Sequence, residues 1–220
     1  MDTNLLLGLG EIIKWVGIAF SPLLLLPLFL LIMPSLFHKL AARISGAIDR
    51  MTGWVLAAAM VAAVALVFFQ LTDVLLAYAY GWSRTWLSDL VIYAFATMFM
   101  LGAAAALRDD AHVRVDILRP RLGSRGRAWV ELAGLYLFLF PICIRLVALT
   151  EQGLTRSWLL LEGSRESDGL PIVFLFKTLV PAFAILLIIQ GLSEAIKAAL
   201  ILTGKREEKP TNIVEANHGA

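Results

Sequence analysis

The sequence predicts an all-α integral membrane protein, a helical bundle of about five transmembrane helices with a cytoplasmic interfacial segment after the third. Three observations predict it. Five apolar stretches each reach the roughly 20 residues needed to cross about 30 Å of hydrocarbon. They are apolar all round, without the polar stripe of a soluble helix. The cations fall on alternate connectors, as consecutive crossings require. Backbone groups in hydrocarbon must pair within their own segment, so each stretch is expected to be a helix. Barrel strands would alternate polar and apolar residues, which this 60% hydrophobic chain does not do.

The first stretch, Trp15 to Phe37, carries Pro22, Pro27 and Pro34, each of which removes a backbone donor and kinks a helix, so this span is expected to be tilted or partly re-entrant. A cleaved signal peptide is the competing reading. Met1 to Asn4 has no positive charge, the apolar run is too long, and no small-residue cleavage pattern closes it. The other four spans run from Trp54 to Ala79, Leu87 to Leu107, Trp129 to Leu149 and Pro171 to Leu192. Residues 38–50, 108–127 and the tail together carry twelve cations, whereas the intervening connectors carry only Arg84, Arg156 and Arg165. The positive-inside rule makes the first set cytoplasmic, with the amino terminus outside and the carboxyl terminus cytoplasmic. Tryptophan prefers the headgroup level, and all six comply: Trp54 and Trp129 at the inner interface, Trp15, Trp82, Trp86 and Trp158 at the outer one. The expected organisation is a first span with its connector over 1–47, four further spans over 48–204, and a polar tail over 205–220.

Composition excludes several function classes. A net charge of +2 concentrated at one rim meets anionic lipid, not nucleic acid. Cys143 is the single cysteine and lies in a span, so neither an internal disulfide nor a cysteine metal site is available. No Walker A loop, GxSxG or HExxH is present, and the three histidines are scattered, so no enzyme and no cofactor is expected. His112 and Asp116 stand four apart on one helix face, but two ligands without a third make a poor metal site and a solvated face explains them better.

Charges inside spans are costly and carry the alternative route to function. Asp73, Arg145 and Lys177 share an outer level, which suggests that Asp73 pairs with one of the two cations; snorkelling of the long side chains to the headgroups is the equal alternative. The small-residue runs Ala57–Ala63 and Gly102–Ala106 permit close helix approach, either between spans two and three or toward another subunit. No internal repeat, paired broken helix or mid-membrane polar cluster points to a complete translocation path, which favours a subunit over an autonomous transporter.

At LGAAAALRDDAHVRVDIL, residues 101–118, the chain resembles the small membrane subunit, or Q component, of the tripartite ATP-independent periplasmic (TRAP) transporter family. Leu101, Gly102 and Ala103 match the family's small-residue start, and His112, Val113, Arg114, Val115 and Asp116 match its His-Val-x-Val-Asp signature. Upstream, Tyr78, Gly81, Trp86 and Asp89 take the places of the family's Tyr, Gly, Trp and acidic residue. Downstream, Pro171, Lys177, Pro181, Gln190, Gly191, Ser193 and Glu194 follow the family's last helix. Two departures are Ala77 in place of a common Arg and Asp89 in place of a common Glu; the N-terminal extension is a third. The resemblance implies a bacterial or archaeal inner-membrane subunit. Its partners would be a large elevator-type subunit, which binds the sodium and carries the solute, and a periplasmic substrate-binding protein for organic, mostly carboxylate, solutes.

The residues fit an anchor in such a complex. Ala111, Val115, Leu118 and Leu122 fall at helical spacing and can lie on the inner surface, with Arg114, Arg121 and Arg125 reaching phospholipid phosphates at about 1 kcal/mol each. A free loop is the even alternative. Asp116 and His112 read as structural caps of that connector. Glu151, Glu162, Glu166 and Asp168 make the longer outer connector acidic, able to steer a basic partner or simply solvated. The competing functional readings are a self-sufficient small transporter, a membrane-bound enzyme, and an accessory scaffold of an unrelated complex.

Overall fold

The structure is a computed structural model that describes residues 23–111 and 122–205. Among them are α1 (Leu26–Ile32), α2 (Pro34–Tyr80), α3 (Thr85–Arg108), α4 (Ser124–Gly134), a π-helical turn (Leu135–Leu139), α5 (Phe140–Leu159), α6 (Val173–Lys177) and α7 (Leu179–Leu202). Four stretches, Phe37–Tyr80, Thr85–Arg108, Ser124–Leu159 and Val173–Leu202, are long and apolar enough to cross a membrane. The chain is a helical integral membrane bundle.

The first expected span is described only from Leu23 onward, and that part is not one helix. α1 has seven residues, and the chain leaves helical geometry at Met33, with φ −131° and ψ 68°. Pro34 causes both events. Its ring disfavours the helical region for the residue before it, while its missing N–H is harmless in the first turn of the next helix. The expected connector over 38–50 is instead helical and continuous with the second span. No proline interrupts residues 35–80, so α2 runs for 47 residues, about 70 Å at 1.5 Å per residue. Gly81, left-handed at φ 65°, ends it by turning its N–H onto the Ala77 carbonyl.

α2 and α3 pack closely as an antiparallel pair. Ala59 on one and Ala94, Ala104 and Ala105 on the other are buried between neighbours, while Val61, Val64, Phe68 and Leu71 of α2 face outward. The alanine runs therefore make an internal seam. Gly102 is different, because a Cβ placed there would meet no atom within 4 Å.

Two further irregularities have proline as their cause. The π turn ends just before Pro141, whose ring would crowd the carbonyl of Leu137 in a regular α-helix. The last span divides at Thr178, because Pro181 crowds the Lys177 carbonyl and cannot donate to it. α7 is the hub of the bundle, packed against α1, α2, α3, α4 and α5. Its second half is buried among Leu30 and Ala41 on one side and Ala128, Leu132, Leu135 and Phe140 on the other. Gly191 permits that closeness. A Cβ there would stand 2.8 Å from Leu139 Cδ2 and 3.1 Å from Phe140 Cε1.

Candidate functional site

The polar side chains within the bundle gather into two locks, one at each end. At the end carrying Arg108 and Lys205, helical spacing places Ser45, Asp49 and Thr52 on one face of α2, and Gln190, Ser193, Glu194 and Lys197 on one face of α7. The two faces meet. Thr52 donates to Gln190 Oε1 at 2.6 Å, and the Gln190 amide donates onward to Asp49 at 3.1 Å and Glu194 at 2.8 Å. Lys197 bridges the same two carboxylates, at 2.9 Å from Asp49 and 2.7 Å from Glu194. Ser193 donates to Asp49 at 2.8 Å, which leaves the Ser45 hydroxyl as donor in its 2.8 Å contact with Ser193. α3 joins through Arg108, whose Nη1 donates to the Asp49 carbonyl at 3.2 Å while Nε and Nη2 grip Asp109 at 2.8 Å each. Gln190 and Ser193 are fully buried, so their own bonds stand in for water that cannot reach them. Apart from the lock, the Tyr136 hydroxyl of the π turn donates to the Leu24 carbonyl just before α1.

At the other end a clasp ties α3, α5, α6 and the connector after α5. Leu161, held left-handed at φ 45°, turns the chain so that Glu162 N–H meets the Ser157 carbonyl at 3.0 Å. A leucine in that region costs about 1 kcal/mol or more. The turn delivers the Glu162 carboxylate to Ser157 Oγ at 2.7 Å and to Lys177 Nζ at 2.5 Å. The Lys177 ammonium, then the Ser157 hydroxyl, hold the Glu162 carboxyl below its usual range. Trp158 donates to Thr178 Oγ1 at 3.0 Å and packs edge-on against Phe174, while Tyr93 stacks on Phe176. Asp89 closes the clasp from α3 by accepting the Leu170 N–H at 2.9 Å. Gly169 is required here, since a Cβ would fall 2.1 Å from Ser164 Oγ and 3.0 Å from Asp89 Oδ2.

The expected Asp73 pair does not form among the described residues. Asp73 accepts from Ser88 at 3.4 Å, Lys177 belongs to Glu162, and Arg145 is exposed on α5. Asp73 takes its partner from the start of α3, whereas Lys177 takes its own from the connector after α5; similar depth did not make them partners. The acidic connector is also less acidic than it reads. Glu162 is spent on Lys177, while Glu151, Glu166 and Asp168 are exposed, Asp168 standing 3.7 Å from the equally exposed Arg84. Trp86 and Arg125 are exposed at opposite ends of the bundle. His112, Arg114, Asp116 and Arg121, and with them the expected interfacial segment and the His112/Asp116 spacing, lie outside the described residues, as does Trp15.

Sequence reasoning missed Asp49, Thr52, Ser45 and Lys197 as members of the first lock. Signals existed: Asp49 is the lone acid among the cations of residues 38–50, and Lys197 follows Glu194 by three. Among the described residues no three His, Cys, Asp or Glu side chains stand together as a metal site. Both clusters bind helix to helix and present no open polar cleft.

Residues 66–200 match the family model for the DctQ component of tripartite ATP-independent periplasmic transporters. No curated protein and no solved structure matches the chain. The matched span takes in α3 with its side of the seam, the whole clasp, and Gln190, Ser193, Glu194 and Lys197 of the first lock; Ser45, Asp49, Thr52 and the seam alanine Ala59 of α2 precede it. More than half of the chain is covered, and this protein belongs to the DctQ component family of tripartite ATP-independent periplasmic transporters.

Proposed function

We propose that this multi-pass inner-membrane chain is the stationary mount of a sodium-driven transporter. It holds a large elevator-type subunit level in the bilayer and helps to seat a periplasmic substrate-binding protein. The observation that carries the reading is the pair of end locks. Each ties three or more helices by buried or half-buried hydrogen bonds, which is the construction of a frame that resists shear while a neighbour moves. Exposed tryptophans at both ends, Trp54 and Trp129 against Trp82 and Trp86, fix such a frame in depth.

In this reading sodium and solute are handled by the large subunit, and the solutes are organic anions bearing carboxylate. The end with Arg108, Arg125 and Lys205 faces the cytoplasm by the positive-inside rule. The clasp end faces the periplasm, where Glu151, Glu166 and Asp168 are acids exposed to a basic partner. Arg114, Arg121 and Arg125 hold phosphates, and Asp116 caps the connector. Purification of tagged chain in mild detergent should retain the large subunit. Asp116→Ala should lower that yield more than it alters the solute's half-saturating concentration. A changed solute preference with intact assembly would contradict the assignment. An unrelated scaffold role would show as a different retained partner.

A further inference from the structure

The charges of the first lock do not balance. Lys197 sets one ammonium between the Asp49 and Glu194 carboxylates, so with all three groups ionised one negative charge is left over. The elements packed around the pair do not supply its counter-charge. α3 brings Arg108, but that guanidinium is gripped at two points by Asp109, and the two are neutral together. α4 meets α7 through Ala128 and Leu132, and the charges flanking that face, Arg127 and Glu131, are of opposite sign. α5 has no charged residue before Arg145, α1 has none, and Arg50 of α2 is exposed. An uncompensated charge on a mostly buried carboxylate is costly, and a buried acid relieves that cost by keeping its proton.

The hydrogen bonds say which acid keeps it. Asp49 Oδ1 accepts from Gln190 at 3.1 Å, Ser193 at 2.8 Å and Lys197 at 3.0 Å, and its Oδ2 meets Lys197 again at 2.9 Å. Donors favour the ionised form, so Asp49 is the carboxylate. The bonds from Gln190 at 2.8 Å and Lys197 at 2.7 Å to Glu194 both fall on Oε1, which leaves Oε2 to carry a hydrogen. Glu194 is also the more deeply buried, its side chain 11% exposed against 31% for Asp49. An inorganic cation fits less well, because Gln190, Ser193 and Lys197 already aim N–H and O–H groups at the oxygens that such an ion would need.

We propose that the first lock is a proton-binding site, with Glu194 of the folded chain holding a hydrogen on Oε2 at neutral pH. The pair then carries a single negative charge, which the Lys197 ammonium balances. The lock stands just past Trp54 and Leu192, where the apolar spans end, so water on the Arg108 side can deliver the proton. Glutamates of an unfolded chain are ionised at neutral pH. Folding therefore takes up a proton, and the stability it confers is present at neutral pH and lost as rising pH removes it. The tie between α2 and α7 thus yields to alkali. This rests on the lock alone, not on the transporter reading.

The full chain in mild detergent, labelled with carbon-13 glutamate, is compared with Glu194→Gln, whose side chain is neutral and can donate, and with Asp49→Asn, in which Lys197 balances Glu194 alone. Infrared difference spectra of the wild type at neutral pH should show a protonated-carboxyl carbonyl stretch that shifts with the label and disappears at alkaline pH. Both variants should lack it. The wild-type melting temperature should fall from neutral to alkaline pH, and that of Glu194→Gln should fall by less. The proposal is overturned by a wild type without the band, by a band that survives either substitution, or by an equal alkaline loss in the wild type and Glu194→Gln. It is overturned as well if the band is missing and sodium raises the wild-type melting temperature over choline at equal ionic strength, the sign of an inorganic cation in the proton's place. Circular dichroism shows whether each variant is folded, and the wild-type band with its label shift decides the matter without them.

Discussion

At the scale of single residues, the two locks differ in what they ask of water. Lys197 is mostly buried and neutralises Asp49 and Glu194 together. Lys197→Met therefore leaves two facing carboxylates without their shared cation, and thermal unfolding in detergent should reveal a loss of about 3 kcal/mol. Gln190→Leu should cost about 1–3 kcal/mol by stranding the Thr52 hydroxyl and one bond of each carboxylate. The clasp is wetter and responds to pH. Because Lys177 and Ser157 hold the Glu162 carboxyl below its ordinary value of 4.5, its stabilising effect is complete above that pH and is lost as acid titrates the folded group. Trp158 fluorescence should report loosening below about pH 4.5, and Glu162→Gln should remove that dependence. If the acid response survives Glu162→Gln, the clasp is held by something else. Gly169→Ala should open the same clasp at every pH, since no side chain fits between Ser164 and Asp89.

At the scale of elements, the four long helices and the α2/α3 seam were legible in the sequence, because apolar length and small-residue runs are one-dimensional signals. Boundaries were less so. The 38–50 stretch reads as a connector by its cations, yet nothing in it breaks a helix, and Lys39, Arg43 and Arg50 are exposed on the helix while Asp49 reaches the hub. Proline positions predicted irregularity at Pro34, whereas the same signal at Pro141 and Pro181, which underlies the π turn and the division of the last span, went unread. The lock at Asp49 escaped notice because its partners are about 140 residues away in sequence, and no spacing rule spans that distance. Depth alone paired Asp73 with a cation, and packing assigned Ser88 instead. Gly102 belongs to the element scale too. Its open surroundings predict that Gly102→Leu leaves the isolated chain's stability within about 0.5 kcal/mol of wild type, while lowering co-purification of the large subunit if that face is the inter-subunit contact.

At the scale of the whole molecule, a frame locked at both ends and apolar between them is suited to standing still. The α7 hub contacts all the other long helices, so a load applied to one is shared by the rest. On the proposed orientation, charge at the clasp end is then a docking matter. Reversal of Glu151 and Glu166 to lysine should slow association of the substrate-binding protein at low ionic strength and have little effect at high salt. Equal rates at every salt concentration would dismiss steering. The central claim is that this chain mounts and does not carry. It is tested most directly by liposomes containing this chain alone, set beside liposomes with the large subunit and the substrate-binding protein added. With an inward sodium gradient and radiolabelled carboxylates, the complete set should accumulate solute, and the chain alone should match empty liposomes. Accumulation by the chain alone would contradict the account.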